Sequence, residues 1–275
     1  VCYNAKENTV WWEGLDNNPP KPEDGAVNWK GEPWDYTAYN KADKINTSGA
    51  HPNSRFTASA KNCPCLSSEF DSLKGVPVSA IIFGGRRAKT APLVYQSRDW
   101  NHGVFVGSIM ASETTAAASG AVGVVRRDPM AMLPFCGYNM ADYWQHWIDI
   151  GKTLDPEKAP KIFNVNWFRK DDEGNFMWPG FGDNLRVLNW ILDRCDGKVE
   201  AKETAIGYVP FADDIDLSGI ENEVPRENLE TILTVENDLW KDEVPGIEEF
   251  YAKFGDKLPA DIRKELDTLK ANLGC

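Results

Sequence analysis

The sequence predicts a mixed α/β fold, in which helices flank a central mixed β-sheet and the carboxyl-terminal part is helical. Short apolar or alternating runs indicate strands at about 78–83, 92–96, 102–109, 121–126 and 162–168. Apolar residues at helical spacing indicate helices at 140–150 and 185–194, and again through about the last fifty residues. Strands followed by helices are typical of helices packed on one sheet.

The individual elements are predicted from the spacing of apolar residues and from the residues that typically begin or end helices and loops. Residues 14–48 are rich in Pro, Asn, Asp and Lys and predict long surface loops. In the helix at 140–150, one face carries Met140, Tyr143, Trp144, Trp147 and Ile148. The helix at 185–194 ends at the stop signal Asp196-Gly197. The last helical stretch carries apolar residues at Leu229, Ile232, Leu233, Ile247, Phe250, Ile262, Leu266 and Leu269.

The net charge, the hydropathy pattern and the cysteines argue against several classes of protein. The 275 residues carry a net charge of −12, which argues against nonspecific nucleic-acid binding. No apolar run is long enough for a membrane span. Six irregularly spaced cysteines predict reduced thiols and a cytoplasmic location, and Cys63-Pro64-Cys65 lacks the further ligands of a zinc site. An anion site in this chain therefore has to be a local basic pocket.

Within residues 163–184, five aromatic rings lie close together among turn-forming residues at 167–181, namely Trp167, Phe168, Phe176, Trp178 and Phe181. A flat ring on a tight turn can stack on another flat ring, and Asn184 can hydrogen-bond the edge of a stacked base. The pattern suits a purine. The alternative is that these rings cover a core or hold a loop together.

Two segments supply positive charge. Arg55 ends a turn that begins at His51-Pro52, and Arg86 and Arg87 follow an apolar strand that stops at two glycines. Glycine lets the backbone approach a ligand closely, and arginine can bind a phosphate through two parallel hydrogen bonds. The alternative is that Arg86 and Arg87 are solvated or pair with the surplus acids.

Taken in order, these motifs resemble the GTP-dependent phosphoenolpyruvate carboxykinases, and bacterial members in particular. The most specific matches are A-H-P-N-S-R-F at 50–56, I-I-F-G-G-R-R at 81–87, V-N-W-F at 165–168 and W-P-G-F-G at 178–182. Shorter matches lie at 12–14, 63–64, 75–77, 92–95, 102–108, 112–113, 128–129 and 137–139. Differences from animal-type members lie at Ala111, Leu133 and 119–121.

The resemblance implies a chain organisation. The family enzyme is about twice as long, so this sequence is expected to be its carboxyl-terminal part, with the amino-terminal half as its missing partner. Residues 1–65 are expected to be the remainder of a substrate-binding subdomain, and 66–275 a nucleotide-binding domain. Gly151-Lys152-Thr153 ends like a phosphate loop but has His146 where the motif needs its first glycine, so we do not interpret it as one.

The resemblance also implies a reaction, in which oxaloacetate and GTP give phosphoenolpyruvate, GDP and carbon dioxide, a step of gluconeogenesis. Mn²⁺ and Mg²⁺ are expected in the full-length enzyme, with their ligands outside this chain. A mobile lid is expected at about 112–124, a run of small residues with Ser112, Glu113 and Ala117 as lid residues and Glu113 at its first hinge.

The remaining roles implied by the resemblance concern ligands. Arg55 is the expected catalytic residue, bridging the transferring phosphoryl group and the substrate, with Asn53 and Ser54 as further substrate contacts. Guanine is expected between Phe168 and Phe181. The other expected nucleotide contacts are Arg55, Arg86, Trp167, Phe176, Gly182, Asp183 and Asn184.

Two rival functions stay open at this point. Eleven tryptophans in an acidic chain also suit a carbohydrate-binding module, because aromatic rings stack on sugars. A purely structural fragment with no ligand of its own is the second rival. A binding titration with GDP, ADP and a cello-oligosaccharide distinguishes these two functions from guanine-nucleotide binding.

Overall fold

The computed structural model of the chain describes residues 1–12, 15, 18–40, 42–51, 54, 57–114 and 123–275. These residues form two compact units, Val1–Val76 and Pro77–Cys275. The expected division into a substrate-binding remainder at 1–65 and a nucleotide-binding domain at 66–275 stays a prediction. Within the described residues, no helix has the length and apolar character needed to cross a membrane.

The first unit contains a small antiparallel sheet. Its strands are β1 (Cys2–Asn4), β2 (Thr9–Trp11) and β3 (Ala26–Val27), in the order β2-β1-β3, and a one-turn helix, α1 (Lys44–Thr47), follows. The buried core consists of Cys2, Trp11, Ala26 and Trp34. The prediction of surface loops at 14–48 was therefore incomplete, because Trp34 is buried and donates its indole N–H to the Thr47 carbonyl at 3.0 Å.

The second unit contains a five-stranded mixed sheet with the order β4-β8-β5-β10-β9, and a separate hairpin, β6-β7. The sheet confirms the predicted mixed α/β class. The strands are β4 (Ala80–Gly84), β5 (Val94–Gln96), β6 (Ala111–Glu113), β7 (Val125–Arg127), β8 (Lys161–Val165), β9 (Lys202–Thr204) and β10 (Gly207–Val209). The helices are α2 (Trp100–Ser108), α3 (Met140–Gly151), α4 (Asn184–Cys195), α5 (Arg226–Leu233), α6 (Asn237–Ala252) and α7 (Ala260–Leu273).

Both faces of this sheet are covered. Alternate residues of β5 and β8 enter different cores, since Tyr95 and Ile162 belong to one apolar cluster while Val94 and Phe163 belong to the other. The first cluster includes side chains of α2, α3, α6 and α7, and the second includes those of α4 and α5. The helical carboxyl-terminal part thus completes the two cores.

The predicted strand at 102–109 was wrong, because these residues form helix α2. Asp99 begins the helix by accepting a hydrogen bond from the His102 backbone N–H at 2.8 Å. A Cβ atom on Gly103 would lie 2.3 Å from Ile162 Cδ1, so this glycine lets the helix pack directly on β8. A helix buried on nearly all sides has the same continuous apolar composition as a buried strand, and composition alone does not distinguish them.

The edge hairpin β9-β10 was not predicted, and its tight packing depends on Gly207. This residue has φ +131°, and a Cβ atom there would lie 2.3 Å from the Gln96 carbonyl oxygen. We expect Gly207→Ala to lower the free energy of unfolding by about 1–3 kcal/mol, because backbone atoms of β5 would have to move. Urea unfolding measures this change. Gly219→Ala is the matched control, since Gly219 also has positive φ but no neighbour within 4 Å; an equal loss in both variants would contradict the steric explanation.

Candidate functional site

The site is built where two parallel strands end together. Strand β4 pairs with β8 in parallel from Ala80↔Lys161 to Gly84↔Val165, so the residues after both strands emerge at one edge of the sheet. After β4 comes the segment we call the arginine turn, residues 84–87. After β8 comes the segment we call the aromatic loop, residues 167–184. Ligands bind most often at such carboxyl ends of strands in open α/β sheets.

The side chain of Asn166 connects these two segments through hydrogen bonds to their backbones. Its side-chain oxygen accepts the backbone N–H groups of Arg87 and Phe168, both at 3.2 Å. Its amide nitrogen donates to the carbonyls of Arg87 and Ala91, both at 2.9 Å. The side chain is buried and all four of its hydrogen-bonding positions are used. The arginine turn and the start of the aromatic loop are therefore fixed side by side.

Strand β6 packs against the arginine turn from another direction. A Cβ atom on Gly85 would lie 3.0 Å from the Ala111 carbonyl, so the glycine permits the close approach. The predicted lid residues Ser112 and Glu113 both hold the turn: Ser112 Oγ accepts the Arg86 N–H at 3.1 Å, and Glu113 Oε1 accepts the Ala88 N–H at 2.7 Å. The third predicted lid residue, Ala117, and the rest of 115–122 lie outside the described residues.

The two arginines of the turn have different surroundings. Arg87 forms a short ion pair with Glu243 of α6, and Arg127 of β7 binds the other carboxylate oxygen of Glu243 at 2.7 Å. Burial alone would raise the pKa of Glu243, but hydrogen bonds and charges from Arg87 and Arg127 outweigh it and hold the pKa below its usual value. Pairing with surplus acids, the alternative left open by the sequence, is therefore correct for Arg87.

Arg86 has no carboxylate within ion-pair distance among the described residues. Its guanidinium carbon lies 3.7 Å from the centre of the Phe168 ring, a cation–π stack. Phe168 also contacts Phe176, with ring centres 6.1 Å apart and planes inclined by 67°. Lys170 Nζ lies 5.1 Å from the centre of the Phe176 ring, which is more than half exposed. The structure thus brings Arg86, Phe168 and Phe176 together.

Phe181 presents its ring to solvent. The side chain is 95% exposed, and the residue has φ +50° in a short 3₁₀ turn (Phe181–Asp183) that precedes α4. Among the described rings, it pairs with none. The expected sandwich of Phe168 and Phe181 around a base therefore stays a prediction.

The side chain of Asn184 has a fixed orientation. The buried Trp178 donates its indole N–H to Asn184 Oδ1 at 2.9 Å. An indole N–H is only a donor, so it must face the oxygen of the amide and not its nitrogen. The amide nitrogen is consequently the end that points away from Trp178, and no described residue accepts its hydrogens.

The other predicted site residues have ordinary structural contacts. Asp183 accepts a hydrogen bond from Arg186 Nε at 2.9 Å, and Trp167 lies partly buried against the second core cluster. Gly182 has open space beside its Cα atom. Ser54 is exposed and its backbone N–H donates to the His51 carbonyl at 2.8 Å. Asn53 and Arg55 lie outside the described residues.

A cavity of about 30 Å³ lies below the arginine turn and is lined by polar groups of Arg87, Tyr95, Asn164 and Glu243, among other residues. This volume holds one or two water molecules, so it is far too small for a nucleotide. Burial raises the pKa of Tyr95 well above its usual value, which keeps its hydroxyl protonated. This cavity is therefore not a nucleotide site.

The Gly151-Lys152-Thr153 sequence has a structural explanation. Gly151 is the last residue of α3, and a Cβ atom there would lie 2.2 Å from the Trp100 ring. Lys152 pairs with Asp149 at 2.8 Å. A phosphate loop places its backbone N–H groups at the start of a helix, whereas this sequence lies at a helix end, where carbonyl groups are exposed.

Metal ligands do not gather in the part of the chain that the structure describes. No group of three or more His, Cys, Asp or Glu side chains is placed there to hold an ion. Cys63 and Cys65 are exposed and their sulfur atoms lie 3.5 Å apart, without a third ligand among the described residues. The described residues therefore do not fit a metal centre.

Sequence reasoning missed three residues that shape this site. Asn166 could have been suspected, since a polar residue directly follows the buried strand β8. Nothing in the sequence indicates that Arg127 and Glu243 form an ion pair. They are 116 residues apart, and Glu243 is one of 42 acidic residues. Their proximity depends on the packing of α6 beside β7.

Comparison with known proteins identifies the family. A model described as the phosphoenolpyruvate carboxykinase C-terminal P-loop domain matches residues 1–272. The chain belongs to this family, as the motifs predicted.

Three relatives, each called phosphoenolpyruvate carboxykinase [GTP], define how much of the longer protein is present. The protein of Treponema pallidum (strain Nichols) is 49% identical over 275 residues, covering 99% of this chain and 43% of its own length. That of Paenarthrobacter aurescens (strain TC1) is 49% identical over 265 residues, covering 96% and 42%. That of Neocallimastix frontalis is 51% identical over 270 residues, covering 98% and 43%. The chain spans less than half the length of these relatives.

Proposed function

We propose that this chain is the guanine-nucleotide-binding part of a GTP-dependent phosphoenolpyruvate carboxykinase. The whole enzyme would convert oxaloacetate and GTP to phosphoenolpyruvate, GDP and carbon dioxide. The aromatic loop would bind the base, and the arginine turn would bind the phosphates. Family membership and the three similarly named relatives support this proposal.

The orientation of the Asn184 amide is the observation that carries the choice of guanine. Because Trp178 occupies Oδ1, Asn184 presents N–H donors on its free end. Guanine has an acceptor oxygen at position 6, whereas adenine has an amino group there, which is a donor. A donor facing the adenine amino group would leave both groups unpaired, and this costs binding free energy.

The exposed ring of Phe181 is suited to stacking. It lies three residues before Asn184, so ring and amide can act on the same base. The half-exposed Phe176 would close the edge of the pocket, next to Phe168. The carbohydrate-binding alternative also uses exposed rings, but it gives no role to an amide fixed in one orientation.

Arg86 is the arginine of the turn that remains for an anion, since Arg87 is paired with Glu243. An unpaired guanidinium can bind a phosphate with two parallel hydrogen bonds. The net charge of −12 makes such a local cation necessary for a nucleotide to bind.

The remaining roles come from the resemblance. Arg55 would stabilise the transferring phosphoryl group, with Asn53 and Ser54 near the substrate, and Ser112 and Glu113 would anchor a lid at its first hinge. The enzyme's divalent metals would supply charge stabilisation during phosphoryl transfer. Since the described residues offer no cluster of metal ligands, we assign no step of this chain to a metal.

The test is a binding titration of this chain, in which the tryptophan fluorescence of the protein is used to monitor ligand binding. GDP should bind more tightly than ADP, and inosine diphosphate should resemble GDP because it keeps the oxygen at position 6. Phe181→Ala should weaken GDP binding by about 0.5–1.5 kcal/mol or more, the usual contribution of one stacked ring beyond its burial.

The control variant is Phe211→Ala, since Phe211 is also an exposed ring but precedes a different turn. It should leave GDP binding unchanged. Equal affinity for GDP and ADP would contradict the assigned base pocket. Binding of a cello-oligosaccharide with indifference to GDP would favour the carbohydrate-binding alternative, and no response to any of the three would favour a structural fragment.

A further inference from the structure

Arg86 and Phe168 meet because the backbone is fixed on both sides of them. The Asn166 oxygen binds the N–H groups of Arg87 and Phe168, so the two side chains emerge next to each other. Ser112 Oγ fixes the Arg86 N–H as well. The 3.7 Å stack of the guanidinium on the ring is therefore a consequence of the site's construction.

The stack competes with both expected roles, namely stacking of a base on Phe168 and binding of a phosphate by Arg86. A purine that stacks on Phe168 needs a ring face at about the distance the guanidinium already occupies. A phosphate bound by Arg86 needs the same guanidinium to turn away from the ring. Both requirements are met together only when a ligand carries a base and a phosphate at once.

We propose that the Arg86–Phe168 stack makes the site selective for guanine nucleotides over guanine nucleosides. A nucleoside has to displace the guanidinium and offers it no new partner. A nucleotide displaces it and then binds it through a phosphate, so the lost stack is replaced by a charge-assisted hydrogen bond. This inference rests on the proposed guanine site and goes beyond it, because it assigns Arg86 a role in excluding unphosphorylated ligands.

The expected size follows from the strength of such stacks. At a partly exposed site, a cation–π contact changes an equilibrium by roughly two- to fivefold. A ligand shifts an equilibrium only by the difference between its affinities for the two arrangements, here the guanidinium stacked on Phe168 and the guanidinium displaced from it. Removing the stack should therefore tighten guanosine binding by about two- to fivefold. The same change should weaken GDP by about tenfold or more, because a hydrogen bond between charged groups is lost.

The experiment measures dissociation constants of guanosine and GDP for this chain and for Arg86→Ala. The variant should bind guanosine about two- to fivefold more tightly and GDP about tenfold more weakly, which is a change of opposite sign. Arg86→Lys is the second variant. Its compact, strongly hydrated ammonium stacks poorly on a ring but keeps the charge, so guanosine binding should tighten while much of the GDP affinity remains.

Two controls separate this effect from altered folding. Arg86 has no ion-pair partner among the described residues, so its variants lose only one cation–π contact and should unfold at nearly the same urea concentration as the parent chain. Lys253→Ala removes another surface cation–π contact, in which Nζ lies 5.8 Å from the centre of the Phe250 ring. It should leave both dissociation constants unchanged.

Each remaining outcome decides one of the two proposals. If the chain binds GDP in preference to ADP but Arg86→Ala leaves guanosine affinity unchanged or lower, the selectivity role is wrong and the proposed function stands. If neither GDP nor guanosine binds to the parent chain, the proposed function and this inference both fail. Weakening of both ligands by the same factor in Arg86→Ala would mean that the stack supports the base instead of competing with it.

Discussion

Replacing Glu243 with alanine is expected to lower the free energy of unfolding by about 3–5 kcal/mol. Its carboxylate lies between Arg87 and Arg127, and all three side chains are at most 15% exposed. Without it, two guanidinium groups remain close together in a poorly hydrated place. A Cβ atom on Gly246 would lie 2.9 Å from Arg127 Nη2, so Arg127 packs closely against α6. Urea unfolding measures the loss.

Glu248→Ala is the matched control on the same helix. Its ion pair with Lys270 is much more exposed, so its removal should cost less than about 1 kcal/mol. A loss of similar size in both variants would contradict the importance of the buried pair. Glu243→Gln should cost less than Glu243→Ala, because the amide oxygen can still accept one guanidinium hydrogen bond.

The Glu243 contribution should also depend on pH in one direction. The folded-state pKa of Glu243 lies below its ordinary value of 4.5, so the folded state favours the ionised form. The resulting stabilisation is present above about pH 4.5 and is lost as the pH falls through the lowered pKa. The stability difference between the parent chain and Glu243→Ala should therefore be constant near pH 7 and shrink below about pH 4.5. A difference that grows on acidification would contradict this sign.

In a full-length enzyme, Arg55→Ala is expected to lower kcat by roughly 10³-fold or more, while changing nucleotide affinity by less than about tenfold. The reason is that a guanidinium on a transferring phosphoryl group acts mainly on charge that develops during transfer. The measurement is oxaloacetate-dependent formation of phosphoenolpyruvate with GTP, Mn²⁺ and Mg²⁺. A suitable enzyme is a fusion of this chain behind the amino-terminal part of the Treponema pallidum relative.

Two controls accompany this measurement. Arg226→Ala removes a surface arginine that pairs with Asp213 and Glu230, and it should leave kcat unchanged. The 275-residue chain by itself is expected to give no turnover. Equal losses in kcat and nucleotide affinity for Arg55→Ala would assign Arg55 to ground-state binding, and turnover by the chain alone would show that the metal ligands lie within it.

The sequence by itself determined the family, the mixed α/β class, strands β4, β5 and β8, and helices α3 to α7. Long motifs such as A-H-P-N-S-R-F at 50–56 and W-P-G-F-G at 178–182 are specific enough to identify relatives without coordinates. Amphipathic spacing placed α3, α4 and the carboxyl-terminal helices correctly, because a helix with one apolar face has a readable period. Helix α2 has no such period because it is buried on nearly all sides, and its continuous apolar composition predicts a strand instead.

The tertiary structure alone decided which side chains hold one another. The motif G-G-R-R by itself does not distinguish Arg86 from Arg87, yet Arg87 pairs with Glu243 while Arg86 stacks on Phe168. The sequence showed that Asn184 can both donate and accept, but only the contact with Trp178 fixes which end faces outward. Local spacing records the periodicity of one element. Ion pairs and amide orientations instead depend on residues far apart in the chain, whose distance is set when the elements pack.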